Sequence, residues 1–280
     1  MAAKLTVKDI VKRKGGEKLI MLTAYDAGFA SLVDLDGVDM LLVGDSLGNV
    51  ALGYDSTVPV TMAEMLHHAA AVRRGSSSFI VGDMPFLSYQ IGTGEAICNG
   101  GRFLKEAGCD AVKMEGGADI AETVRSVVRA GIPVMGHIGL TPQTASQLGG
   151  YKVQGRDAES AGKLVRDAGT LEDAGVFAIV LECVPDRLAR YLTGTVSIPT
   201  IGIGAGPDCD GQVLVSNDLL GLSDKKVPRF VKQYAGLRGE AREAVKRFVG
   251  EVRDGSFPAA ENCFSLPTKV EFLLSEEKEE

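Results

Sequence analysis

Apolar residues in this chain gather into short runs that are hydrophobic at nearly every position rather than at alternate ones. They are LIMLTAY at 19–25, DMLLVGD at 39–45, FIVGDM at 79–84, AVKMEG at 111–116, IPVMGHIG at 132–139, FAIVLEC at 177–183, PTIGIGAG at 199–206 and GQVLVSND at 211–218. Continuous apolar runs of this length are the mark of parallel strands covered on both faces, since a strand with one wet face alternates. Amphipathic stretches separate most of them. Eight such strands with helices between them predict an α/β fold, a single-domain (β/α)8 barrel of the TIM type.

The punctuation agrees with that order. Gly37, Gly108, Gly131 and Gly175 each stand just before a run, where a left-handed residue ends a helix and turns the chain into the next strand. Thr61 with Glu64 has the spacing of a capping box and predicts a helix running to Arg74. Thr93 and Asp119 are expected to cap the next two helices. The last two runs lie too close together for a full helix, so one barrel unit is expected to be degenerate. After Pro228 the stretch 229–254 predicts a closing helix, with a break near Gly236 or Gly239. The barrel domain is therefore expected over 1–254. Residues 255–280 form an extension whose acidic end, SEEKEE, is expected to be disordered.

Length and composition narrow the class of function. At 280 residues, 45% hydrophobic, the chain can bury one full core. A net charge of -7 with scattered basic residues lacks the positive footprint of a nucleic-acid binder. No run approaches the roughly 20 apolar residues of a membrane span, and the N-terminus has no secretory h-region. Five cysteines without a C-x-x-C pair indicate neither a disulfide framework nor a zinc site. The expectation is a cytoplasmic protein.

Chemistry is concentrated at the carboxyl ends of the predicted strands, the face where barrel enzymes keep their active sites. Asp45 and Ser46 follow the second run, Asp83 ends the third, Lys113 and Glu115 lie in the fourth, His137 in the fifth and Glu182 in the sixth. Lys113 and Glu115, two apart, share one face of their strand. Three carboxylates at one mouth repel unless a cation intervenes, and an all-oxygen set suits a hard ion. Asp45, Asp83 and Glu115 are the candidate Mg2+ shell. Burial in an apolar strand favours the neutral form of a carboxylate, so Glu182, outside that shell, is the candidate general base. Lys113 offers a fixed cation and a neutral His137 a hydrogen bond to an oxo acid. The set describes enolate chemistry on a 2-oxo acid.

Each residue alone also has a structural explanation. Asp45-Ser46-Leu47-Gly48 resembles a turn, Asp83 stands before Met84-Pro85, Glu115 could cap a helix, and Lys113 with Glu115 could be a barrel ion pair. His67 and His68 read as structural, Cys183 as an inert core thiol, and the GIGAG of 202–206 as a tight turn, since it lacks the lysine of a P-loop. The coincidence of so many polar residues at successive strand ends favours an enzyme.

At these same residues the sequence resembles the ketopantoate (3-methyl-2-oxobutanoate) hydroxymethyltransferase family. The matching segments are LTAYDAGFA, LLVGDSLGNVALGYDSTVPVT, VGDMPFLSY, AVKMEGG, GHIGLTPQ, GGYKVQGR, LECVP and IGIGAGPDCDGQVLV, in the family's order. The resemblance implies transfer of a one-carbon unit from 5,10-methylenetetrahydrofolate to 3-methyl-2-oxobutanoate, giving 2-dehydropantoate for pantothenate and coenzyme A synthesis. It implies that Asp45, Asp83 and Glu115 serve Mg2+, and that Asp45, Ser46, Asp83, Lys113 and His137 form the oxo-acid site. Glu182 would accept the proton, and the protein would be a homo-oligomer, a decamer by analogy. The sequence departs from the family at Tyr54, where a His is usual, and at Ser216-Asn217, where an aromatic and a His precede Asp218. These departures bear on the one-carbon carrier, which could be folate or another reduced pterin. The competing readings are a Mg2+-dependent C–C lyase of the phosphoenolpyruvate mutase and isocitrate lyase type, for which no K-K-C-G-H-type loop is present, and a non-catalytic barrel.

Overall fold

The computed structural model describes residues 4–224 and 227–266 of the chain. Its strands are β1 (Leu19–Thr23), β2 (Met40–Val43), β3 (Phe79–Asp83), β4 (Ala111–Glu115), β5 (Val134–Gly139), β6 (Ala178–Glu182), β7 (Thr200–Ile203) and β8 (Gly211–Leu214). All eight pair in parallel with their sequence neighbours. The barrel closes where β8 returns to β1, with Leu19 opposite Gly211 and Leu22 opposite Leu214. Every strand lies inside its predicted run.

Helices α1 (Val7–Lys12), α2 (Ala27–Val33), α3 (Leu47–Val50), α4 (Met62–Gly75), α5 (Thr93–Lys105), α6 (Ala121–Arg129), α7 (Ala158–Ala174), α8 (Asp186–Thr195), α9 (Ser216–Leu219) and α10 (Leu237–Asp254) complete the chain. The capping box opens α4, with Thr61 accepting from the Glu64 amide and Glu64 from the Thr61 amide. Gly175 closes α7 at φ 97°, where its N–H reaches the carbonyls of Leu171 and Glu172. Gly37, Gly108 and Gly131 are likewise left-handed. Two expected caps differ. Thr93 is already the first residue of α5, behind Gly92, and Asp119 sits in a 3-10 turn where it accepts from the Gly117 N–H. In both cases the loop from the strand meets the helix a residue or two away from the expected point. No helix forms in 204–210 between β7 and β8, as their spacing requires.

The strands divide the core in two. Inward residues such as Met21, Met40, Phe79, Val81, Met135 and Ile201 fill the lumen, while Leu41, Ile80, Val112, Ile179 and Leu181 pack outward against the helices. Ile10 of α1, fully buried, joins the lumen cluster beside Leu19, Met40 and Phe79, so α1 plugs the end of the barrel where the strands begin. Burying that side chain contributes about 1.5–3 kcal/mol. With one end closed by apolar packing, polar groups can collect only at the other.

Of the predicted C-terminal helix only 237–254 forms; residues 229–236 are a turn and extended loop, so Gly236 stands at the start of the helix and does not break one. It adds no buried residue to the barrel. Val245, Phe248 and Val252, on one flank of α10, are about half exposed at 61%, 53% and 48%. Among the described residues only the Phe257 ring, 5.4 Å from that of Phe248, packs against that flank. The acidic SEEKEE end lies outside the described residues.

Candidate active site at the barrel mouth

Strand pleating decides which side chains enter the lumen. In β3, β4, β5 and β6 the inward positions begin apolar (Phe79, Ala111, Met135, Ala178) and end polar (Asp83, Lys113 and Glu115, His137, Glu182), because alternate residues share a face. The strand register sets these residues side by side: Asp83 opposite Lys113, and Glu115 opposite His137. They line a cavity of about 140 Å3 whose apolar floor is Leu42, Val180, Ile203 and Val213, and whose rim includes Ser46, Asn49, Thr57 and Tyr151.

Lys113 Nζ lies 2.9 Å from Asp83 Oδ1 and 3.2 Å from Glu115 Oε1, all three side chains being buried. His137 stands between two carboxylates, with Nδ1 3.2 Å from Glu115 Oε1 and Nε2 3.2 Å from Glu182 Oε2. Asp45 donates its backbone N–H to Asp83 Oδ2 at 3.1 Å, tying the end of β2 to β3. The oxygens of Asp45, Asp83 and Glu115 lie within 4.8 Å of one another, the one such set among the described residues.

The charges of this group do not balance at every member. Burial raises the Glu115 carboxyl, but Lys113 and His137 outweigh it and bring it to about 2. For Asp83, burial prevails over Lys113 and lifts the carboxyl above its ordinary value. Asp45 is raised well above that value by burial and then by its two anionic neighbours. Its side-chain partner is an amide, Gln143 Nε2 at 3.0 Å, not a cation. Three buried oxygen donors with one uncompensated carboxylate among them fit a hard divalent cation, and no thiolate or second imidazole competes for it.

His137 differs from the neutral ring expected. Burial and Lys113, 3.1 Å from Nδ1, lower it, but Glu115 and Glu182 prevail and raise it to about 9, so without a bound cation the imidazole is protonated at neutral pH. Glu182 is also less enclosed than an apolar strand suggests: its side chain is 17% exposed and faces the mouth. Cys183, next in line, is held at φ 49° where β6 ends, and burial pushes its thiol up to about 12. Gly139 at φ 98° lets β5 run against this turn, since a Cβ there would stand 2.2 Å from the Glu182 carbonyl oxygen.

Asp83 and Glu115 both point into the mouth and neither caps a helix, while the expected Lys113–Glu115 ion pair is present at 3.2 Å. Several participants went unrecognised in the sequence. Gln143, from the LTPQ loop after β5, donates to Asp45 Oδ2 and to the Met84 carbonyl at 2.9 Å, while its backbone N–H donates to Glu115 Oε2 at 3.2 Å. Tyr89, fully buried, accepts from the Glu115 N–H at 3.1 Å, and its hydroxyl lies 3.0 Å from Gln143 Oε1. Tyr25 fixes Ser46, hydroxyl to hydroxyl at 2.8 Å, and His68 Nδ1 in turn holds the Tyr25 carbonyl at 2.6 Å, which agrees with a structural role for that histidine. Thr57 Oγ1 is buried in the mouth with no hydrogen-bond partner. A glutamine after T-P and a tyrosine at the end of LSY carry no pattern that marks them.

The two departures noted in the sequence have separate fates. Tyr54 braces the loop between β2 and α4, its hydroxyl donating to Glu64 Oε1 at 2.9 Å and its carbonyl accepting from Asn49 Nδ2 at 2.9 Å. Ser216 is buried, its N–H and hydroxyl both donating to Thr23, whereas Asn217 lines a second cavity that shares Asn49 with the mouth.

Comparison with known proteins bears on both fold and family. Solved structures of similar shape include phosphoenolpyruvate phosphomutase from Streptomyces platensis subsp. rosaceus, with a TM-score of 0.61, 14% identity and coverage of 98% of this chain and 96% of that one. Another is 2,3-dimethylmalate lyase, a phosphoenolpyruvate mutase/isocitrate lyase superfamily member, with a TM-score of 0.56, 15% identity and coverage of 98% and 97%. At such identities the likeness concerns the fold alone. In sequence, the chain is 59% identical over 272 residues to the 3-methyl-2-oxobutanoate hydroxymethyltransferase of Desulfotalea psychrophila, covering 96% of this chain and 98% of that protein. It is 57% identical over 272 residues to the protein of the same name from Syntrophomonas wolfei, with the same coverage. The family model for ketopantoate hydroxymethyltransferase matches residues 4–260, and the chain belongs to that family.

Proposed function

We propose that this protein transfers a hydroxymethyl unit from 5,10-methylenetetrahydrofolate to C3 of 3-methyl-2-oxobutanoate, giving 2-dehydropantoate on the route to pantothenate and coenzyme A. The observation that carries the reading is the make-up of the mouth cavity. Its apolar floor of Leu42, Val180, Ile203 and Val213 suits an isopropyl group, and the cation and carboxylates above it suit an oxo acid.

Asp45, Asp83 and Glu115 would hold Mg2+, which when bound supplies Lewis-acid polarisation of the oxo group. Lys113 and the Ser46 hydroxyl, fixed by Tyr25, bind and orient the substrate carboxylate. Glu182, at the edge of the floor, accepts the C3 proton, and the electron pair left on C3 forms the bond to the one-carbon unit. The His137 ring lies beside the base, Nε2 3.2 Å from Glu182 Oε2, and a proton on that nitrogen favours the anionic form of the base before proton transfer. Over the full reaction water supplies the hydroxyl oxygen, and the carrier leaves with hydrogen in place of its methylene.

The same fold hosts C–C lyases, and an enolate is common to both chemistries. Labelled transfer separates them: with a 13C-methylene donor, 3-methyl-2-oxobutanoate is expected to yield labelled 2-dehydropantoate. Cleavage of 2-methylisocitrate-like acids without folate, and no labelled product, would favour the lyase. We also read the protein as a cytoplasmic homo-oligomer, a decamer by analogy with its family. The free state of all five cysteines and the largely exposed apolar flank of α10 support that reading, and no described helix is long and apolar enough to cross a membrane.

A further inference from the structure

The mouth cavity, about 140 Å3, is small against the roughly 300 Å3 and more that larger ligands fill, and a pterin needs room of its own. A second cavity, of about 270 Å3, adjoins it, with Asn49 lining both. Its wall carries an unusual excess of acceptors. The half-buried Asp218 carboxylate has no hydrogen bond or ion pair among the described residues, and burial pushes its carboxyl up. Asn217 Oδ1, beside it, is buried and equally without a partner. Arg238 also lines the cavity, and among the described residues its guanidinium makes only a long 3.5 Å contact to Asp224 and a 3.4 Å bond to the Leu222 carbonyl. A partly desolvated carboxylate without a donor is unfavourable, so Asp218 is expected to have a ligand to satisfy it.

The chemistry of the wall defines that ligand. A carboxylate presents two coplanar acceptors, matched by two adjacent N–H donors held in a plane, as in a bidentate amidine or guanidine contact. The 2-amino-4-oxopyrimidine edge of a reduced pterin offers that pair. From these features we infer that the cavity beside α9 is the carrier's subsite, with Asp218 accepting from the ring N–H and 2-amino group. The ring would lie next to Asn49, at the boundary with the mouth, so that the one-carbon unit faces the oxo acid. Arg238 is then the cation available to an anionic tail. The inference rests on the folate-dependent reading above.

Calorimetric titration with tetrahydrofolate, in the absence of oxo acid, tests the subsite apart from catalysis. Binding to the full-length protein is expected to weaken at least tenfold in Asp218→Asn. A 2-desamino analogue of tetrahydrofolate is expected to lose a similar factor on the wild-type protein and little further on the variant, since both changes remove the same contact. Equal affinity of wild type and variant, or no binding of tetrahydrofolate to the wild type, overturns the proposal. Deuterium exchange at C3 of 3-methyl-2-oxobutanoate, run on the same samples, reports separately on the oxo-acid reading: if exchange persists while Asp218→Asn binds normally, the subsite alone falls.

Discussion

Replacing Asp45 by asparagine is expected to stabilise the metal-free protein while destroying its response to Mg2+. The carboxylate oxygens of Asp45, Asp83 and Glu115 lie within 4.8 Å of one another. At an effective dielectric of about 20, two charges at that distance repel by about 3.5 kcal/mol. Asp45 faces two such neighbours, and the Lys113 ammonium offsets about one of them. Partial protonation of the raised Asp45 carboxyl relieves part of the remainder, which leaves a net gain of about 1–3 kcal/mol for the amide. Asparagine retains an oxygen that can accept from Gln143 Nε2, so the hydrogen bond survives. For a domain of this size each kcal/mol moves Tm by about 2–4 °C, so Asp45→Asn should melt roughly 2–12 °C higher in EDTA. Mg2+ at a hundred times its Kd should raise the wild type by about 2.7 kcal/mol and the variant far less. Scanning calorimetry in EDTA and across a Mg2+ series measures both, and the order of the two melting temperatures should invert or close up as metal is added. A variant that melts below wild type in EDTA, or that gains as much from Mg2+, refutes the electrostatic argument.

Other expectations follow from the same site. The His137 imidazole is raised from 6.5 to about 9 in the fold, so its stabilisation is fully present below about pH 6.5 and is lost as pH climbs to about 9. Urea midpoints of metal-free protein should fall through that window, and His137→Gln should lack the fall; parallel curves for both proteins would contradict it. Gln143→Leu leaves Asp45 without its donor and should weaken Mg2+ binding about 10–100-fold, read by isothermal calorimetry. Unchanged affinity would remove Gln143 from the site. Phe248→Asp, on the exposed flank of α10, should shift the sedimentation coefficient to smaller assemblies, and an unaltered value would dissociate that flank from oligomerisation.

What the sequence discloses, and what it does not, follows from the range of the interactions involved. Strand identity is a local property: eight apolar runs with glycine and capping signals fix their own conformation, and each strand fell where its run predicted. The inward or outward sense of Asp83, Lys113, Glu115, His137 and Glu182 also follows, because period-two alternation is local. The closure of the barrel by Ile10 is not local, since VKDIVK is a single short turn of helix whose value depends on Leu19, Met40 and Phe79 lying above it. Gln143 and Tyr89 act through contacts across 98 and 26 residues of sequence, which no spacing rule captures. The charge of His137 is set by two carboxylates from other strands. The exposure of α10 was hidden for the opposite reason, because an amphipathic pattern declares that one face seeks a partner without saying where the partner is.

The central claim is that Glu182 and its neighbours make a carbanion equivalent at C3 of a branched 2-oxo acid. Proton NMR of 3-methyl-2-oxobutanoate in D2O tests it most directly, with wild type and Glu182→Gln compared in Mg2+ and in EDTA. The wild type is expected to lose the C3 proton signal in a Mg2+-dependent way, and Glu182→Gln to show no loss although the oxo acid still binds. Wild-type rates of exchange in Glu182→Gln, or no exchange by the wild type even when the one-carbon donor is present, would contradict it.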